Sequence, residues 1–211
     1  MFPSCEATID DESESARRKA RTLKTMTESI LNSPRVAVTT RKVRAGNSYD
    51  VALVHGVYQH APEYFEQISM PVPTLAEVET DIAVAQDDER RTLELVLIDQ
   101  EHTAAPLDPL TNLRVAGYLD YKLDYPNIGD ATVNLLLIRS DLQSHGIGGT
   151  CARELETRLT GQARRLLASI YGSNPRARKF WKRLGYHFAI DARPMVEWYG
   201  KELRQSEPVG A

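Results

Sequence analysis

Thr132-Val133-Asn134-Leu135-Leu136-Leu137-Ile138, followed shortly by Gln143-Ser144-His145-Gly146-Ile147-Gly148, decides how this chain folds. The first stretch is an apolar run of strand length. After the second, Ile147, Cys151, Leu155 and Leu159 recur every fourth residue, which predicts a helix with one apolar stripe. A strand that feeds a Gly-rich turn into a helix leaves backbone N–H groups unpaired at the positive end of the helix dipole. Such a turn is an anion site, and phosphate is its usual guest.

Outward from this unit the pattern stays legible. Arg165 to Tyr171 reads as a strand, Asn174 to Leu184 as a helix, and Tyr186 to Glu202 as two more strands. Toward the N-terminus, Leu113 to Leu123 and Leu93 to Ile98 read as strands, with Asp124 to Asp130 as a turn. Three short helices are expected before them, at Asp50 to Tyr58 with Asp50 as cap, at Ala61 to Ser69 and at Thr74 to Val84. Val36 to Val43 alternates like an edge strand, and Ala16 to Leu31 reads as a helix. Residues 1 to 15 are acidic and polar, the composition of a disordered tail. The order β-α-α-α-β-β-β-α-β-α-β-β implies an α+β domain with a mixed sheet.

Composition excludes several classes. The chain of 211 residues fits one domain with a sizeable core, and its 42% hydrophobic and 26% charged residues are ordinary for a globular protein. A net charge of −3 gives no general attraction to nucleic acid or to an anionic membrane. Two cysteines make neither a disulfide framework nor a thiolate metal site, and Cys151 falls on a helical apolar stripe. The sequence shows no membrane-length apolar run and no signal-peptide core, so a cytoplasmic location is expected.

Two commoner phosphate motifs fail at the loop. A P-loop needs a Lys and a Ser/Thr after its second glycine, and neither is there. A dinucleotide fingerprint needs a glycine where Cys151 stands, and an acidic residue about 20 positions on, where Leu166 to Ser173 offers none. A tight turn with no ligand stays open on this motif alone.

Asn174-Pro175-Arg176-Ala177-Arg178-Lys179-Phe180-Trp181-Lys182-Arg183-Leu184-Gly185-Tyr186 adds a second segment. Asn174 is a good N-cap and Pro175 suits the first helical position. Ala177, Phe180, Trp181 and Leu184 share one face, and Gly185 can end the helix in the left-handed conformation.

Together the two segments resemble the GNAT superfamily of acyl-CoA-dependent N-acetyltransferases. Gln143, Gly146 and Gly148 meet its Q/R-x-x-G-x-G/A signature, while Asn174, Ala177, Phe180, Trp181, Gly185 and Tyr186 meet its N-x-x-A-x-x-F-Y/W-x-x-x-G-F/Y pattern. Pro62-Glu63-Tyr64-Phe65 and the Phe-Trp pair resemble a bacterial branch. The resemblance implies a mostly antiparallel sheet of about six to seven strands, helices on both faces, and a splay between the fourth and fifth strands. It implies a domain over residues 35–203, with tails at 1–34 and 204–211. The co-substrate implied is acetyl-CoA, with no metal.

By the same resemblance, amides of Gln143, Ser144, His145, Gly146, Ile147, Gly148 and Gly149 hold the pyrophosphate. Leu136 and Ile138 pair with the pantetheine arm, and the Ile138 N–H holds the oxyanion. Asn174, Ala177, Phe180 and Trp181 flank that arm. The amine attacks directly, so Cys151 is not cast as a nucleophile. Trp181 stands where the family often has a Tyr acid, and an indole N–H cannot serve; Tyr171 is the substitute considered, against its reading as a half-buried strand residue.

For a base, Glu94, Asp120 and Asp130 are candidates, whereas Asn134 is a neutral amide. His55, Tyr58, His60, Glu63, Tyr64 and Glu66 form an acceptor-side cluster, read either as a cleft wall or as core and solvated charge. Arg176, Arg178 and Lys179 face either the adenine-side phosphate or solvent. The leading reading is acetyl transfer to a small-molecule amine, with no nucleic acid or membrane partner. Alternatives are transfer to a protein amine and a non-catalytic acyl-CoA-binding module. Homodimerisation, common in the family, is a further option.

Overall fold

A computed structural model describes residues 36–192 and 196–204; the expected helix at Ala16 to Leu31 lies outside them. Strands β1 (Val38–Lys42), β2 (Arg91–Ile98), β3 (Arg114–Leu123), β4 (Asp130–Ile138), β5 (Arg165–Tyr171), β6 (His187–Ala192) and β7 (Val196–Glu202) form one sheet. It has 7 strands in the order β1-β2-β3-β4-β5-β7-β6, with β1 at an edge as the alternation of its sequence predicts. Every pairing is antiparallel except β4 with β5. That pair is parallel because helix α4 (Ile147–Leu159) crosses over between them.

Both faces of the sheet are covered, which is why its central strands carry near-continuous apolar runs. Alternation along β2 divides the core: Leu93, Leu95 and Leu97 pack with α1 (Ser48–Gln59), α2 (Pro62–Gln67) and α3 (Leu75–Gln86). Val96 and Ile98 join the opposite cluster with Ile147, Cys151, Leu155 and Leu159 of α4 and Trp181 of α5 (Pro175–Arg183). Thr74 starts α3 as its N-cap, with a full capping box through Glu77. Among the described residues, no helix is long and apolar enough to cross a membrane.

Asp50 is not the cap of α1. Asn47 is, accepting from the Asp50 amide at 3.0 Å. Asp50 points inward instead, with its side chain fully buried, and pairs with Arg41 of β1 at 2.7 Å and Arg44 at 2.8 Å. Arg41 also grips the buried Asp108 in the loop between β2 and β3, so one cluster ties strand, helix and loop. Burial pushes Asp50 up, but the bonds from Arg41 and Arg44 outweigh it and hold the carboxyl well below its usual range. Asp108 is lowered in the same sense, against its burial, by Arg41 and Thr111.

The stabilisation from such lowered carboxyls is present above the unfolded value of about 3.9 and lost as pH falls below it. Asp50→Asn leaves two guanidiniums facing a neutral amide and should cost about 3 kcal/mol at neutral pH. Urea denaturation at pH 7 and at pH 3 should show a smaller difference between variant and wild type at the acid end. An equal difference at both would refute the ion-pair account.

Candidate active site

The site begins where β4 and β5 part. Their pairing runs from Asp130 opposite Arg165 to Val133 opposite Ala168 and stops there, although β4 continues to Ile138 and β5 to Tyr171. The closed end is pinned by Arg165, which donates to both carboxylate oxygens of Asp130 at 3.1 and 2.8 Å. On the other flank, β3 meets β4 with a bulge: Asp120 opposes Leu135 and Tyr121 opposes Val133, leaving Asn134 unopposed. The bulge bends β4 away from β5. A cavity of about 650 Å³ fills the gap.

Backbone direction in the gap follows from register. The Arg139 amide donates to Ala116 of the strand-β3 side at 3.0 Å. Successive amides of a strand point to opposite edges, so the groups of Ile138 and Leu136 face the gap, where β5 offers no partner. Gln143 Nε2 takes the Ile138 carbonyl at 2.8 Å, which leaves the Ile138 N–H.

The loop forms as its glycine spacing predicts. A short 3-10 turn at Ser140–Leu142 leads to Ser144 with φ 67 and to Gly146 with φ 82, the left-handed N-cap of α4. Among the described residues, no protein acceptor takes the backbone amides from Ser144 to Gly149. These donors and the dipole of α4 converge on one spot at the cavity's end, a ready anion cradle. His145 is exposed and does not line the cavity, because the left-handed residues on either side turn its side chain outward; only its amide belongs to the cradle. The other residues expected to hold the co-substrate or to act on its thioester line the cavity: Leu136, Ile138, Gln143, Ser144, Gly146, Ile147, Gly148, Gly149, Tyr171, Asn174, Ala177, Phe180 and Trp181.

Across the gap stands α5. Asn174 Oδ1 accepts the Ala177 amide at 2.8 Å, which turns its other amide atom, the nitrogen, into the only uncommitted part of a buried side chain. Trp181 packs edge-on to Phe180 with centroids 5.0 Å apart and against Tyr186 at 4.8 Å. Arg176 and Lys179 line the cavity, whereas Arg178 turns away to Glu197 at 2.8 Å. Arg153 and Arg183 line it as well. The sequence reading missed both, since only tertiary packing brings α4 and α5 to one rim. Cations at the rim and free amides within suit a ligand with several phosphates.

Residues 62–186 match the model of the acetyltransferase (GNAT) family. The chain belongs to that family. An acetyltransferase of Thermus thermophilus is 33% identical with a TM-score of 0.69, over 80% of this chain and 99% of that one. A domain from Methanocaldococcus jannaschii (17%, TM-score 0.62) matches over 80% and 99%. A Vibrio cholerae spermidine N-acetyltransferase, solved with CoA and spermine (15%, TM-score 0.57), matches over 79% and 95%. The last two share the fold. No curated protein matches the chain.

The titratable groups of this acetyltransferase sort by partner. Glu94 points toward α4 and is held by Arg158 at 2.7 Å through both oxygens, and Asp130 by Arg165. Neither lines the cavity. Asp120, 4% exposed, receives Arg91 at 3.0 and 2.6 Å and Asn134 Nδ2 at 3.0 Å. Tyr171 is half-buried; burial, then the Asp120 charge, pushes its phenol up, so it keeps its proton at neutral pH. Burial pushes the Cys151 thiol up to about 12, which suits core and not catalysis. Of the acceptor-side cluster, Glu63 and Tyr64 line the cavity; His55, Tyr58, His60 and Glu66 do not. Glu63 accepts from the Ser140 hydroxyl at 2.8 Å. Among the described residues no cluster of metal-binding side chains occurs.

Gly117 of β3 sets the approach of β4. A Cβ there would overlap the Leu137 carbonyl oxygen and lie 2.7 Å from Ile138 Cδ1. Gly117→Ala must therefore displace the strand that edges the cavity, at about 1–3 kcal/mol. Chemical denaturation should read that loss; an unchanged midpoint would contradict the packing described.

Proposed function

We propose that this acetyltransferase moves an acetyl group from acetyl-CoA directly to a primary amine of a small molecule. One observation carries the reading most: the unpaired amides from Ser144 to Gly149, at the end of a strand split and under a cationic rim. The Gln143 amide, expected in this cradle, donates instead to the Ser140 carbonyl at 3.3 Å. A pyrophosphate laid on the amides from Ser144 to Gly149 would send the pantetheine arm along Leu136 and Ile138, like an added strand. Asn174, Ala177, Phe180 and Trp181 would flank the arm, and Arg153, Arg176, Lys179 and Arg183 the outer phosphate.

With the arm so placed, the Ile138 N–H would polarise the thioester carbonyl and hold the tetrahedral oxyanion. The Tyr171 hydroxyl, kept protonated, would donate to the departing thiolate. We assign this activity to residues 35–203, with 1–34 and 204–211 as tails. A small-molecule acceptor is supported by the Vibrio cholerae relative, named for spermidine. A second reading, an acyl-CoA-binding module without turnover, is favoured by Trp181 in the place of the usual acid.

Incubation with acetyl-CoA and a panel of amines, followed by free thiol release, separates the readings. Turnover on a small amine is expected. Stabilisation by CoA with no turnover on any amine or peptide would favour the module, and turnover on peptides alone would move the acceptor to protein. Gly146 allows a charge test, since Asp and Asn both tolerate the left-handed conformation. Gly146→Asp should bind CoA at least about tenfold more weakly than Gly146→Asn, from a carboxylate placed against phosphate. Equal affinities would contradict the cradle.

A further inference from the structure

We infer that Asn134 is a catalytic residue whose Oδ1 accepts an N–H of the attacking amine, and that Asp120 and Arg91 are the positioning residues that aim it. The inference rests on the proposed amine acetylation and deepens it. Asn134 is the unopposed residue of the bulge in β4, the one position where that strand departs from regular alternation. Bulges re-aim side chains, and Asn134 lines the cavity beside Ser169 and Tyr171 of β5.

The orientation of its amide follows from chemistry. Asp120 is buried and clasped by the Arg91 guanidinium through both oxygens, and a carboxylate can only accept. Asn134 must therefore turn its NH₂ to Asp120, as the 3.0 Å bond has it. No described residue donates to its Oδ1. A half-buried acceptor left open in a reaction cavity, with its orientation fixed from behind, is suited to hold an incoming N–H.

A neutral amide orients an amine but removes no proton. The groups facing this point from the neighbouring elements supply no strong base either. Glu63 of α2 lines the cavity, but it accepts from the Ser140 hydroxyl, which holds its carboxyl below the usual range and makes it a weak base. Asp81 of α3 does not line the cavity and acts on Tyr58 and Tyr118 by its charge alone. Asp120 of β3 is committed to Arg91 of β2 and to Asn134. Tyr171 of β5, Tyr64 of α2, Tyr58 of α1 and Tyr118 of β3 are phenols pushed up, mainly by burial. No histidine lines the cavity.

The amine thus enters already neutral, having left its proton in water. Its lone pair forms the C–N bond at the thioester carbonyl, the C–S bond breaks, and the nitrogen sheds one proton. The CoA thiolate gains one, so the exchange is balanced.

The test measures wild-type kcat/KM against pH with two amines of clearly different pKa. The ascending limb should move with the pKa of the amine. A limb fixed at one pH for both would reveal an enzyme base and overturn the inference. Asn134→Ala should lower kcat by about tenfold or more while KM for acetyl-CoA holds; a change under threefold would overturn it as well.

Thermal stabilisation of the Ala variant by CoA establishes that it is folded. Asn134→Asp places a titratable group at the same point, and its profile should gain a limb common to both amines. Asp120→Asn, with Oδ1 still able to accept from Asn134, should retain more kcat than Asp120→Ala; equal losses would reduce Asp120 to a structural pair. If the wild type releases no thiol on any amine, the acetylation reading fails first, and that failure is distinct from a wild type that turns over and an Asn134→Ala variant that matches it.

Discussion

The parting of β4 from β5 is the constraint on which the rest depends. Two opposed features make it. The Arg165–Asp130 pair fixes the strands together at one end, while the bulge at Asn134 turns β4 aside just beyond the last paired residues. Strand groups that would have bonded across the sheet are left facing a cavity. The same crossover that makes the pair parallel aims the N-terminus of α4 at the mouth of the gap. A loop amide cradle and a half-open strand edge are therefore one construction, and an extended, phosphate-tipped thioester fits both parts at once.

Much of this was legible in the sequence, for local reasons. The strand, glycine turn and apolar stripe from Thr132 to Leu159 are set by neighbours a few residues apart, and they formed where the pattern put them. Asn174, Pro175 and Gly185 punctuate α5 in the same way, down to the cap bond and the left-handed φ of 88. What escaped was decided by partners far along the chain. Asp50 looked like a helix cap because Arg41 and Asp108 could not be placed beside it. Glu94 interrupted an apolar run that made sense only with Arg158 across the core.

The site divided along the same line. Gln143, Gly146 and Gly148 of the first motif and Asn174, Ala177, Phe180 and Trp181 of the second line one cavity, because motif spacing is a local property. The bulge at Asn134 is a matter of register between strands, which no single strand's pattern encodes. Arg153 and Arg183 sit on different helices and meet at the rim only through packing. Trp181, which departs from the usual acid, proves to be a core residue packed on Tyr186.

The central claim is that coenzyme A lies in the split, along β4 and on the loop. Backbone amide hydrogen exchange, resolved by residue with and without saturating CoA, tests it most directly. The account predicts slowed exchange at Ser144 to Gly149 and at Leu136 and Ile138, with the amides of β1 and β6 unchanged. CoA binding that leaves the loop and β4 amides exchanging at their free rates would contradict it.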